Sequence, residues 1–425
     1  MNNNIMFLFL FATGLIIDII ICMKEPFNPE QFIDEITPKD EAGPYDKNKS
    51  PEKKERFIKF YTKLIEKVIE WAKSEGLEIS TMKKLGGGFV NAVILVETVN
   101  GKSVVVKAFA EEEGAINNKR AKSVIDTISD SDEAMFSEIV GWLDDTTVVS
   151  EKVEGESVRK KMERLSHNEI SQEEACGYFR TLGGLIGSLH ERTEQDAEAY
   201  DESLAIYDRE RIKNYLNKYV SNPIDVPVSV DHLFEIIDRN ITPDYVSYIH
   251  GDAHVDQFFC SPEEDLITIV DYDSMRHGDP MADVARLVSS VRAWSKVINL
   301  KEDVEHELIK SLIGGYRSTR IEGHNSEDSE FDYLKVVCYE IRLYLVEMEQ
   351  FESLREKIKN EVINSDNYSF SNEKEFYDQV SLNVSILDSD DFSNFSDEEK
   401  KKIKHMCDVM GRINECISYL ISLEK

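Results

Sequence analysis

Near Gly155 the spacing of apolar residues in this 425-residue chain changes character. Before it, Val93–Val99 and Val104–Phe109 read as two strands joined at Asn100-Gly101, the strongest short hairpin signal. A second hairpin is predicted over Met135–Leu143 and Thr147–Val153, turning at Asp144-Asp145. A helix through Phe136, Ile139, Val140 and Leu143 fits the same stretch, and the hairpin is preferred. Between the hairpins, Ala121, Val124, Ile125 and Ile128 share one helix face, within a helix from about Glu112 to Ser129. Another amphipathic helix, Pro51–Gly76, carries Phe57, Phe60, Leu64, Val68 and Trp71 ahead of the first strand. After Gly155, apolar residues recur at helical spacing around Phe179–Leu189, Leu233–Ile237, Leu308–Tyr316 and Tyr333–Leu354. One strand-rich island, Tyr245–Asp273, interrupts them. The pattern predicts an α+β protein, with a small strand-built part at 51–155 and a mostly helical part at 156–425.

The island concentrates the polar chemistry. It holds His250-Gly251-Asp252-Ala253-His254-Val255-Asp256-Gln257, then Val270-Asp271-Tyr272-Asp273. If its two short strands pair, Asp252, Gln257 and Asp271 converge, and oxygen ligands at the end of a hairpin suit Mg²⁺ bound to nucleotide phosphates. A single Asp commonly just ends a strand. Several carboxylates with an amide are less easily set aside.

These runs, followed by Gly278-Asp279-Pro280-x-x-Asp283-Val284-Ala285, resemble the aminoglycoside phosphotransferase and choline kinase superfamily in order and spacing. Leu85-Gly86-Gly87-Gly88-Phe89-Val90-Asn91-Ala92-Val93 looks like that family's nucleotide loop, Val104–Lys107 like its lysine strand, and Ser150–Gly155 like its hinge. The resemblance spans roughly Lys83 to Trp294. It implies a two-lobed protein-kinase-like fold, with a small antiparallel-sheet N-lobe and a mostly helical C-lobe.

Residue by residue, the resemblance implies that Asp252 accepts the proton of an acceptor hydroxyl that attacks the γ-phosphate of ATP. Asp271 would hold Mg²⁺, with Gln257 as a second ligand where most members carry Asn. Lys107 would neutralise the α- and β-phosphates, although a lone lysine ending a strand is usually only solvated. Gly86, Gly87 and Gly88 would let backbone approach phosphate where a Cβ would clash. The backbone of Glu151 and Val153 would meet the adenine edge. The helix glutamate that pairs with this lysine in kinases is unassigned: mid-helix positions offer Asn117, Ala121 and Ser123, Glu111 to Glu113 lie only at the helix start, and Glu133 or Glu138 fit only if their region is helical. His254, Asp279 and Asp283 read as structural, and His190 as packing. With Gly251 where protein kinases carry Arg, the acceptor is expected to be a small molecule.

Charge narrows the partners. With 82 acidic and 50 basic residues the net charge is −32, which repels nucleic acid and anionic lipid; it reads first as an acid-rich solvated surface and second as an attraction for a cationic acceptor, and by itself it does not select the substrate. The six cysteines lack zinc or redox spacing and read as reduced thiols in a cytoplasmic protein. The apolar run Ile5–Cys22 contains Asp18 and lacks a basic n-region, so 1–22 reads as a signal, an anchor or a mis-called start. A start at Met23 is preferred, with 23–50 a flexible leader; membrane contact follows only if 5–22 is a real anchor. Two rival readings stand beside the kinase: a kinase-fold binding protein without turnover, and a membrane-tethered acidic interaction protein.

Overall fold

The structure, a computed structural model, describes residues 51–86, 91–109, 112–128, 136–196, 202–220, 229–241, 245–261, 266–320, 329–349, 351–363 and 394–423, together with Phe32, Glu375, Phe376, Gln379, Val380, Leu387 and Phe392. The readings of 1–22 as signal or anchor and of 23–50 as leader lie outside these residues. Among the described residues no helix is long and apolar enough to cross a membrane. Their five cysteines are free thiols.

The chain forms two compact units. The first runs to Ser157 and takes up Gln257–Met275 again; the second holds Val158–Asp256 and everything from Arg276 onward. The second half of the strand island therefore joins the sheet unit, where a contiguous division at residue 155 had set it in the helical part. Strand pairing causes this: β6 (Glu156–Ser157) is bonded to β9 (Phe258–Cys260), which pairs in turn with β10 (Ile267–Ile269).

In the sheet unit α1 (Pro51–Ser74) precedes β1 (Ile79–Gly86), β2 (Asn91–Thr98), β3 (Ser103–Phe109), α2 (Glu112–Ile128), β4 (Ile139–Asp144) and β5 (Thr147–Glu151). The sheet order is β1-β2-β3-β5-β4, antiparallel throughout. Both predicted hairpins form, and β1 is added ahead of them. Gly101 has φ 86° with open space around it, so the β2–β3 turn needs glycine for its backbone angle alone. Alternation along β3 sends Val104, Val106 and Ala108 into the core beneath α1. That core takes Tyr61, Leu64, Ile65 and Val68 from α1. The helix is thus rotated slightly from the expected stripe, with Phe60 and Trp71 at the margin.

In the helical unit come α3 (Val158–Ser166), α4 (Gln172–Arg192), β7 (Gln195–Asp196), α5 (Glu202–Tyr219), α6 (Val230–Ile241), β8 (Tyr245–Ile249), β11 (Arg276–Gly278), α7 (Pro280–Val297), α8 (Glu302–Arg320), α9 (Ser329–Glu349), α10 (Glu352–Ile358) and α11 (Asp397–Leu423). Ser171 caps α4 by accepting from the Glu174 N–H. Helices α4 and α8 meet backbone to backbone: a Cβ on Gly183 would lie 1.9 Å from the Leu312 carbonyl oxygen, and one on Gly315 2.0 Å from that of Arg180. Only glycine permits this approach. A second core joins α5, α6, α9, α10 and α11 through residues such as Leu216, Ile237, Ile341, Leu345, Met406 and Ile413.

Candidate active site

Of the expected site residues, Lys107, Gln257 and Asp271 meet in a charged cluster of the sheet unit, and Asp252 lies in a second one in the helical unit. In the sheet unit, the pleat that buries Val106 and Ala108 turns Lys107 to the opposite face. Its ammonium lies 2.5 Å from Asp271 Oδ1 and also pairs with Asp273 Oδ2. Asp271 follows β10 with φ 67°, a left-handed conformation that Asp tolerates better than most residues. Between the two carboxylates Tyr272 points inward, its hydroxyl within 2.9 Å of the Ser137 carbonyl and 3.0 Å of that of Ile269. A buried tyrosine at the centre of Asp-Tyr-Asp aims both flanking acids away from the core.

Asp273 is held by three amides. Asn91 Nδ2 donates to its Oδ2 at 2.9 Å, Asn118 Nδ2 to its Oδ1 at 3.2 Å, and Asn117 Nδ2 to its main-chain carbonyl at 2.9 Å. Burial, then the charge of Asp271, pushes the Asp273 carboxyl up to about 6, against the pull of Lys107. For Lys107, burial works against the charged form, but the two carboxylates outweigh it and hold the ammonium above its ordinary range. These contacts resolve the missing glutamate. Helix α2 brings asparagines to Asp273, and Asp273, with Asp271, is the lysine's carboxylate partner. Glu138 is exposed beside β4, and Glu133 lies outside the described residues.

Gln257 ends a 3₁₀ turn, 6% exposed, with its Nε2 3.4 Å from Asp271 Oδ2. Its Oε1 is buried without a hydrogen-bond partner. An orphaned amide oxygen beside a carboxylate fits a hard, oxygen-seeking cation, so Gln257 and Asp271 could hold Mg²⁺. Among the described residues no group of three or more His, Cys, Asp or Glu could hold a metal ion. Gly86 closes β1 opposite Val93, while Gly87 and Gly88 lie outside the described residues. At the end of β5 the Glu151 N–H donates to the Glu138 carbonyl at 2.8 Å, so a contact from Glu151 to an adenine edge would use its carbonyl. Val153 follows two residues later in irregular chain.

In the helical unit, β8 leads into His250-Gly251-Asp252, with Gly251 at φ 80°. Asp283, 1% exposed, accepts the main-chain N–H groups of His250 at 2.7 Å and Gly251 at 2.9 Å, and lies 3.1 Å from His190 Nε2. Burial opposes its ionisation; the His190 hydrogen bond, the nearby histidines and the Gly251 N–H outweigh it and keep the carboxyl below the usual range. His190 Nδ1 is 3.1 Å from the Tyr316 hydroxyl, across the close glycine contact of α4 and α8. A residue that read as packing is a member of the buried network beneath the loop. Asp279 caps α7 by accepting from Met281 N–H, ahead of Pro280.

Asp252 itself is 41% exposed. Arg286 donates to its Oδ1 from Nη2 at 2.9 Å and Nε at 3.1 Å. His254 stands 3.8 Å from Asp252 Oδ2 and 3.8 Å from Asp256 Oδ2, while Asp256 pairs with Arg159. Arg286 and Asn118 escaped the sequence reading, as did the contacts of Asn91 and Asn117 with Asp273. Arg286 was reachable, since it lies one helical turn beyond Asp283 and so on the same face. Asn118 was not, because nothing local separates a buried asparagine from a solvated one.

A family model described as "Phosphotransferase enzyme family" matches residues 81–320, and one described as "Uncharacterized protein conserved in bacteria" matches 238–412. No curated protein matches by sequence. Among solved structures the chain is similar to a streptomycin-ATP-APH(2")-IIa ternary complex, at 15% identity and TM-score 0.46, over 67% of this chain and 89% of that one. It is also similar to the choline kinase LicA from Streptococcus pneumoniae (16%, TM-score 0.40, 67% and 92%) and an aminoglycoside-3'-phosphotransferase of type VIII (17%, TM-score 0.39, 62% and 94%). On the family match, which covers more than half of its length, the chain belongs to the phosphotransferase enzyme family and is a small-molecule phosphotransferase of two-lobed, protein-kinase-like α+β fold.

Proposed function

We propose that this chain transfers the γ-phosphoryl group of Mg-ATP to a hydroxyl of a small acceptor, such as an amino alcohol, a sugar or an aminoglycoside. The observation that carries the reading is the cluster of Lys107, Asp271 and the unpartnered oxygen of Gln257. It combines a cation for phosphate with two oxygens for a metal. Asp252 precedes Gln257 by five positions in the chain and takes the acceptor's proton as general base. Lys107 leaves its carboxylates to meet the α- and β-phosphates, and Gln257 and Asp271 hold Mg²⁺. When bound, that ion neutralises charge on the phosphate oxygens. Gly86, Gly87 and Gly88 cover the phosphates, and the backbone of Glu151 and Val153 receives the adenine. The net charge of −32 favours cationic acceptors, and ATP as donor suits a cytoplasmic protein.

The test is ADP release from Mg-ATP across a panel of amino alcohols, sugars and aminoglycosides, repeated with Asp252→Asn. Transfer to at least one acceptor is expected, with a loss of about 10²-fold or more in the variant and Mg-ATP affinity unchanged. A wild-type chain that binds Mg-ATP yet transfers to nothing would instead be a binding protein on this fold. Activity of Asp252→Asn within a few-fold of wild type would remove Asp252 from its role.

A further inference from the structure

Asp252 Oδ1 receives two N–H groups from one guanidinium, at 2.9 and 3.1 Å. Its other oxygen, Oδ2, lies 3.8 Å from His254 Nε2, too far for a hydrogen bond. The two carboxylate oxygens are therefore inequivalent. Building on the phosphotransfer reading, we infer that Arg286 is a positioning residue that ties down Oδ1 so that Oδ2 of Asp252 takes the acceptor's proton.

Helix α7 gives this clamp a rigid base. Asp279 and Pro280 fix its first turn, Asp283 grips the main chain of His250 and Gly251, and Arg286 follows one turn later on the same face. One helix thus holds both the loop's backbone and the base's side chain. A carboxylate 41% exposed and unclamped would spread over several rotamers. Phosphoryl transfer through a loose transition state rewards orientation of the nucleophile more than strong basicity. A cation on the base is then affordable, because what matters is which oxygen points at the hydroxyl. In the step itself the acceptor's O–H proton passes to Oδ2 and its oxygen bonds to the γ-phosphorus. The bond from that phosphorus to the β,γ-bridging oxygen breaks, and its electron pair leaves with ADP.

The experiment is a double-mutant cycle in the full chain, using the best acceptor from the panel. Arg286→Met should lower kcat by roughly 10- to 100-fold, since misplacement by about 1 Å costs that much. The KM for Mg-ATP should not move, and Arg286→Lys, which keeps one donor, should recover part of the loss. In an Asp252→Asn background Arg286→Met should add nothing further. An equal loss in both backgrounds, or a loss expressed wholly in the KM for Mg-ATP, would overturn the inference. A second readout needs no turnover: with ¹⁵N-arginine labelling, the Nε–H signal absent from Arg286→Met should shift in Asp252→Ala. A signal that stays put means no clamp. A signal that shifts in a chain inactive towards every acceptor counts against phosphotransfer and leaves the clamp standing.

Discussion

Lys107 and Arg286 are both cations paired to carboxylates of the strand island, yet the two regions manage charge in opposite ways. Around Lys107 two of the three charges are sequestered: its side chain is 13% exposed and that of Asp273 17%, and the Asp273 carboxyl, held by three asparagine amides, is displaced to a pKa of about 6, while Asp271 stays 41% exposed. Around Asp252 the carboxylate and Arg286 remain in contact with water. What is buried there is the scaffold, Asp283 with His190. A charge withdrawn from water responds to pH and to metal, because desolvation and neighbouring charges set its free energy. A charge left at the surface above a buried network responds to damage in that network.

The comparison breaks most visibly at Asp283. Asp283→Ala strands the buried main-chain N–H of His250, the part-buried one of Gly251 and the buried His190, so urea unfolding should show a loss of about 3 to 5 kcal/mol at unchanged m value. A loss below about 1 kcal/mol would mean the loop is not held from beneath. In the sheet unit, Asp271→Ala should weaken Mg²⁺-dependent nucleotide binding by at least roughly tenfold, about 1.4 kcal/mol, as read by titration calorimetry with and without metal. Gln257→Asn keeps an amide oxygen and should stay within a few-fold. Equal losses in the two variants would remove the distinction between carboxylate and amide ligand.

The smallest effect expected is on pH. Because burial and Asp271 raise the folded-state value of Asp273 to about 6, the native protein binds more protons than the unfolded chain between about 4 and 6. Stability from this group is therefore present at low pH and lost as pH rises through about 6. Without divalent metal, wild type should lose roughly 2 to 4 °C more in Tm than Asp273→Asn on going from pH 4.5 to 7. Parallel curves would show that Asp273 titrates as an ordinary surface acid.

Much of this was legible locally. The β2–β3 hairpin follows from alternating apolar residues around Asn100-Gly101, and Asp279-Pro280 marks the start of α7 from two residues. The long helix α11 was passed over, although Ile403, Met406, Met410, Ile413 and Ile417 carry its period, because the charged run Glu398–Lys402 precedes them. The lysine's partner was out of reach for another reason. A glutamate on α2 would place the charge in the wrong element: the helix supplies Asn117 and Asn118, and the charge comes from Asp273, more than 150 positions away.

Period and turn chemistry thus specified the hairpins and the helical remainder, since each acts over a few residues of chain. Which side chains meet was settled by packing. Lys107 and Asp271 are 164 positions apart, and Gln257–Met275 joins the sheet unit through the pairing of β6 with β9. No local pattern encodes such contacts, because they arise where separate elements bury their faces together. The same packing leaves Asp252 at the surface with one oxygen held by Arg286 and puts Asp273 among amides out of water, so two aspartates of one short island acquire different chemistry.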